Sequence, residues 1–184
     1  GVGLTYRGRT TFDFSGDANF TAPDAFAAKT PDQAAASSMT MPDTIVLGAH
    51  GRRGALGAAL DLEYARWSVN ERTVVAFVNP ATPDAVQEND WRDTFAVRAG
   101  GEWYGGPFVL RGGAYWDLSP VPQHRLSPSS PDANRLGLTA GASYRIATGL
   151  SADVFAEHLW LLRRETTSTE TMPASYGGSA IVVG

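Results

Sequence analysis

Three histidines, His50, His124 and His158, are the side chains best suited to general acid–base or metal chemistry, and their placement supports neither. They stand in unrelated segments, and no two have metal-ligand spacing. The chain has no cysteine, which removes thiolate ligands and disulfides. It also lacks a G-x-S-x-G elbow and a phosphate-cradling glycine loop. His124 lies in a Pro-rich loop and reads as a solvated residue, while His158 falls on an apolar strand face near a strand end, as an interfacial ring does. The more informative set is Arg92, Arg98, Glu102, Arg111, Asp117, Arg135, Arg145, Asp153 and Glu157, which share one face of successive alternating segments. Such a set can neutralise itself as a hydrated network. Alternatively, one or two arginines, with Arg98 and Arg111 preferred by facing alone, can receive a carboxylate, to which the planar guanidinium is matched.

The elements that must carry these residues show period-two alternation. Val2, Leu4, Tyr6, Phe12 and Phe14 oppose Thr5, Arg7, Arg9, Thr11 and Asp13. From 91 to 104, Phe95, Val97 and Trp103 oppose Arg92, Thr94, Arg98, Glu102 and Tyr104. From 107 to 117, Phe108, Leu110, Ala114 and Trp116 oppose Arg111, Tyr115 and Asp117. From 135 to 146, Leu136, Leu138, Ala140, Tyr144 and Ile146 oppose Arg135, Thr139, Ser143 and Arg145. Residues 150–162 differ: Phe155, Leu159 and Leu161 are apolar on the face opposite Val154, Ala156 and Trp160. A soluble antiparallel sandwich also alternates. Two features favour a membrane barrel: strands of roughly 10–14 residues against the usual 5–6, and Trp91, Trp103, Trp116 and Trp160 toward strand ends, as in an interfacial girdle.

Composition agrees with an all-β antiparallel transmembrane barrel of the outer membrane. Glycine (20 residues) and tryptophan (5) suit barrel strands, and no apolar run reaches membrane-helix length. A mean hydropathy of -0.18 is what strands apolar on one face only produce. Net charge is -4 with scattered basic residues, so nucleic acid is not an expected partner. The opening Gly-Val-Gly-Leu is already in strand pattern, with no signal peptide before it, and we read a missing N-terminus there. No composition shift divides residues 1–184, which form one portion of a single barrel domain.

Connections alternate in length. Tight ones fall at Gly51-Arg52-Arg53-Gly54, Gly105-Gly106 and Ala147-Thr148-Gly149, and long ones at about 16–41, 79–90, 118–133 and 165–174. Short periplasmic turns and long outer loops are the asymmetry of outer-membrane barrels. The alternation holds if residues 55–78 form one long strand bent near Trp67-Ser68, giving about eight strands with the first running outward.

Several segments resemble the FadL and TodX family of long-chain fatty acid and aromatic-hydrocarbon transporters. Gly3-Leu4-Thr5-Tyr6-Arg7-Gly8 is similar to its G-x-x-Y-x-S strand, with Gly8 in place of Ser. Met41-Pro42-Asp43-Thr44-Ile45-Val46-Leu47-Gly48, Arg66-Trp67-Ser68 and Trp91-Arg92-Asp93-Thr94 resemble further signatures. The longest match is Leu110-Arg111-Gly112-Gly113-Ala114-Tyr115-Trp116-Asp117-Leu118-Ser119-Pro120-Val121-Pro122. Pro131-Asp132-Ala133-Asn134-Arg135 and Gly141-Ala142-Ser143-Tyr144-Arg145 follow at family spacing.

The resemblance implies a fourteen-stranded barrel with an N-terminal hatch in its lumen, of which this chain is the C-terminal part. It implies passive uptake of hydrophobic molecules in a Gram-negative outer membrane, among lipid and lipopolysaccharide, by a monomer needing no cofactor or metal. Arg98, Arg111, Phe155, Leu159 and Leu161 then face the ligand path, although the inward apolar residues equally suit packing against the hatch. Asp117, Pro120 and Pro122 belong to an extracellular loop near first capture. Two prolines at alternate positions fix an extended strand exit there, and a gating role follows from the loop's place. Phe20, Phe26, Met39 and Met41 are the apolar residues of the 16–41 loop available for capture. A structural or adhesive barrel with a closed lumen is the alternative, and an outer-membrane hydrolase a remote third.

Overall fold

The computed structural model describes residues 1–23, 29–128, 130–167 and 174–184. Eight antiparallel strands form one sheet in the order β1 (Val2–Arg7), β4 (Thr44–Arg53), β5 (Leu56–Ala65), β8 (Thr94–Gly105), β9 (Phe108–Asp117), β10 (Arg135–Ala147), β11 (Leu150–Glu165) and β12 (Ser175–Val183). These are the eight strands expected of the wall. Tight turns join β4 to β5, β8 to β9 and β10 to β11 at one end. Their Gly54, Gly106 and Gly149 have φ of 61°, 61° and 81°, where a side chain is strained. The terminal amino group of Gly1 donates to the His50 carbonyl near that end, so β1 runs away from the tight turns, as expected.

At the opposite end the sequence reading needs correction. Four more strands, β2 (Thr10–Ala18), β3 (Gln33–Met41), β6 (Arg72–Phe77) and β7 (Ala85–Glu88), form a second sheet in that order. The opening alternation is therefore two strands, broken at Gly8-Arg9, although its parity runs unbroken through Phe12 and Phe14. The break has a physical cause. Pro42 removes a ladder donor on the neighbouring strand, and the adjacent Asp43 carboxylate takes Arg9 at 3.1 Å and Arg66 at 3.7 Å. The segment 16–41 is not a loop throughout, because Gln33–Met41 pairs residue for residue with β2. Likewise 79–90 contains β7. The bend expected near Trp67-Ser68 is a one-turn 3-10 helix over Trp67–Val69, after which the chain leaves the wall as β6.

Two placements of individual residues also differ. Arg92 precedes β8 and is not on a strand; its backbone N–H donates to the Pro120 carbonyl at 2.9 Å. Trp91 is not part of a girdle: its ring meets Trp67 edge-on at 5.4 Å. Phe26 lies outside the described residues, and Phe20 packs on Phe77 at 5.5 Å.

The distribution of apolar surface is inverted relative to a water-soluble domain. The buried hydrophobic residues are Ala65, Ala96, Val121, Leu126 and Ala133, whereas Leu47, Leu60, Leu62, Phe95, Val97, Phe108, Leu110, Trp116 and Leu138 are exposed. All of the latter share the outward parity of the eight-stranded sheet. A contiguous apolar face of this kind marks a nonaqueous partner, and covering it by acyl chains contributes about 1.5–3 kcal/mol per large side chain. No helix among the described residues is long and apolar enough to cross a membrane. Trp103 and Trp116 lie outward near opposite ends of the sheet, and His158 stacks on Trp160 at 3.9 Å on the same face.

Candidate functional site

Because each strand alternates and neighbours are in register, inward side chains line up in rows across the sheet. One row reads Asp61, Arg98, Tyr115, Gly137 and Leu159. The next, toward the tight turns, reads Ala59, Gly100, Gly113, Thr139 and Glu157. Beyond it come Gly57, Glu102, Arg111, Gly141 and Phe155. Toward the mouth, the row is Glu63, Ala96, Asp117, Arg135 and Leu161. The small residues of the second row floor a recess of about 620 Å³, walled by Asp61, Arg98, Glu102, Arg111, Tyr115 and Phe155. Two glycines exist for close approach: a Cβ at Gly137 would sit 2.1 Å from the Tyr115 ring, and one at Gly57 2.8 Å from Glu102.

The inward ionisable residues form several separate groups. Arg98 pairs with Glu63 at 2.9 Å. Arg111 faces Glu102 at 3.7 Å and donates to Ser143 Oγ at 2.5 Å, and Ser143 in turn donates to Asp153. Tyr104 donates to Glu102 and Tyr115 to Glu157, each at 2.5 Å. The Arg52 guanidinium lies 3.7 Å above the Tyr104 ring. Asp61 and Glu63 were not singled out from sequence, although the outward Leu60 and Leu62 bracket them and carried the signal. Arg145 is inward but next to the tight-turn end, where its backbone N–H donates to Pro107.

Phe155, Leu159 and Leu161 form an apolar lane on β11. Val182, Ala180 and Gly178 of β12 continue it sideways, since Glu157 pairs with Val182, Leu159 with Ala180 and Leu161 with Gly178. The inward surface is thus divided, polar over β5 to β10, mixed over β11, where Asp153 and Glu157 alternate with Phe155 and Leu159, and apolar at Ala180 and Val182 of β12.

At the mouth, the segment after β9 folds inward and is fixed there. Asp117 pairs with Arg135 at 3.2 Å, and Arg135 also holds Asp132 at 2.8 Å. Ser119 donates its hydroxyl to Asp132 at 2.8 Å and its N–H to Asn134 at 2.9 Å. Pro122 is extended, with φ -66° and ψ 153°, and starts a one-turn 3-10 helix over Gln123–Arg125. Arg164 donates to Ser119 Oγ and to the Val121 carbonyl, both at 2.8 Å. It does so because the ladder of β11 shifts between Leu161 and Arg164, a bulge that turns its guanidinium inward. Strict alternation carries no signal for that reversal. Beneath the segment is a second cavity of about 410 Å³, bordered by Trp67, Trp91, Pro120 and Val121.

His124 is not a free loop residue. Its Nε2 lies 3.4 Å from Asp90 Oδ2, beside an Arg125–Asp90 pair at 2.7 Å, so this loop is tied to the one before β8. The Arg125 and His124 hydrogen bonds hold the Asp90 carboxyl below the usual range. Hydrogen bonds from the Tyr64 hydroxyl and the Ser68 N–H do the same for Asp93. Among the described residues no group of three or more His, Asp or Glu is arranged to hold a metal.

The chain and its fold have counterparts among known proteins. The family model described as "Outer membrane protein transport protein (OMPP1/FadL/TodX)" matches residues 1–184. A "Putative outer membrane protein NMB0088" of Neisseria meningitidis serogroup B is 28% identical over 198 residues, covering 95% of this chain and 41% of that protein. The "Long-chain fatty acid transport protein" of Escherichia coli K12 is 25% identical over 167 residues, covering 85% of this chain and 37% of that one. Among solved structures, a Pseudomonas aeruginosa FadL homologue superposes with a TM-score of 0.75 at 15% identity, over 98% of this chain and 46% of that one. The Pseudomonas putida toluene transporter TodX does so with a TM-score of 0.61 at 17% identity, over 99% and 44%. The chain spans about two-fifths of the curated relatives it matches.

Proposed function

Since the chain belongs to the outer membrane protein transport family (OMPP1/FadL/TodX), and forms wall strands of a Gram-negative outer-membrane β-barrel, we propose that it serves passive uptake of hydrophobic compounds, of the class of long-chain fatty acids or aromatic hydrocarbons. One observation carries this reading: the inward apolar lane Phe155, Leu159 and Leu161, flanked by Val182 and Ala180. A general water-filled pore keeps its inner face polar; a lane two strands wide offers apolar cargo a surface that water does not compete for. Arg98 and Arg111 border the path as halves of ion pairs and keep its other bank hydrated. Asp117, Pro120 and Pro122 belong to the gate: the pair with Arg135 and the stiff extended exit hold the segment over the mouth.

The test is protein-dependent uptake of labelled oleate and labelled toluene by cells lacking their own transporter and expressing the complete protein that carries this chain. Saturable uptake of at least one cargo is expected. Leu159→Asp, which puts a charge in the lane, is expected to lower it by roughly tenfold. A folded barrel in the membrane with no uptake of either cargo refutes the reading.

A further inference from the structure

On the proposal that this inward face is a transport path, the arrangement of its charges narrows the cargo. Each arginine in the middle of the wall is already satisfied by a carboxylate, Arg98 by Glu63 and Arg111 by Glu102. Below the mouth, the remaining inward arginines, Arg52 and Arg145, stand toward the tight turns, and beside the apolar residues of β11 the ionisable groups are acids. Asp153 accepts from Ser143 and Ser151 with Arg111 nearby, whereas Glu157 accepts the Tyr115 hydroxyl and has no ion pair among the described residues. Asp61 stands at the wall of the recess. Glu157 is the telling residue, because it shares its strand face with the lane and sits between Phe155 and Leu159. A molecule sliding along these apolar groups passes a carboxylate that is in no ion pair among the described residues.

We infer that this lane selects hydrophobic molecules with an uncharged end group and disfavours ionised carboxylates. Two like charges a few ångströms apart, well within a Debye length, repel. An alcohol or hydrocarbon of the same length meets only the apolar lane and a hydrogen-bond acceptor. The charges of Arg98 and Arg111 are already offset by Glu63 and Glu102.

The experiment compares dodecanol with dodecanoate, which share a chain and differ in charge, near pH 7.5 in cells expressing the complete protein. Protein-dependent uptake of dodecanol is expected to exceed that of dodecanoate by roughly tenfold. Glu157→Gln, which keeps an acceptor for the Tyr115 hydroxyl, is expected to narrow the ratio several-fold, as is Asp153→Asn with its acceptor for Ser143. Dodecanoate uptake equal to or above that of dodecanol, with a ratio unmoved by either substitution, overturns the inference and leaves the transport reading intact. Uptake of neither molecule refutes the transport reading, and the selectivity falls with it.

Discussion

Arg164 does the most at the mouth for a single side chain. Its two hydrogen bonds join β11 to Ser119 and Val121, and Ser119 is in turn fixed by Asp132 and Asn134. Replacing it by Ala takes the donor from the carbonyl of the buried Val121, a cost of about 1–3 kcal/mol, while Ser119 Oγ keeps the Val121 N–H. Arg164→Ala is therefore expected to raise amide hydrogen exchange across 118–126 by tenfold or more while leaving the middle of β9 and β10 protected. Unchanged exchange shows that the Asp132 and Asn134 bonds suffice. Asp90 has a different role, because it ties the two outer connections through Arg125 and His124. Its carboxyl titrates lower when folded than when unfolded. The tie thus contributes fully above the unfolded carboxylate's value of roughly 3.9 and is lost as pH falls through the lower folded value. Exchange in 118–126 is expected to rise, relative to the wall, between pH 5 and pH 3 as rough bounds, and Asp90→Asn is expected to remove that dependence.

At the scale of elements, the wall strands are legible in the sequence wherever the two faces differ in chemistry. β8, β9 and β10 alternate between large apolar and charged residues, and their facing follows directly. β3 is hidden because its sequence, Gln-Ala-Ala-Ala-Ser-Ser-Met-Thr-Met, has little contrast and weak strand propensity; it is a strand because β2 supplies its pairing. The bulge in β11 is hidden for another reason, since an extra residue reverses parity and alternation counted from the sequence goes out of phase. The inward ionisable set was legible residue by residue, but its partners were not, because pairing across strands depends on register. Outward positions can be tested directly. Leu60, in the middle of β5, is exposed on the lipid-facing side, and Leu60→Arg is expected to cost about 2–4 kcal/mol when the complete barrel is folded into bilayers. A cost near zero in denaturant titrations places Leu60 at an interface instead of mid-membrane.

For the molecule as a whole, the strand order of the large sheet has a consequence for how it forms. Neighbours in the wall follow chain order except at β1 beside β4 and at β5 beside β8, where the β2–β3 and β6–β7 pairs of the second sheet intervene. Short turns close the β4–β5, β8–β9 and β10–β11 pairs, whereas β4 and β8 find their register across a whole intervening hairpin. The two interrupted pairings, β1 with β4 and β5 with β8, are therefore expected to form more slowly than the tight-turn hairpins. The sheet can be laid down hairpin by hairpin during insertion, each new edge serving as the template for the next.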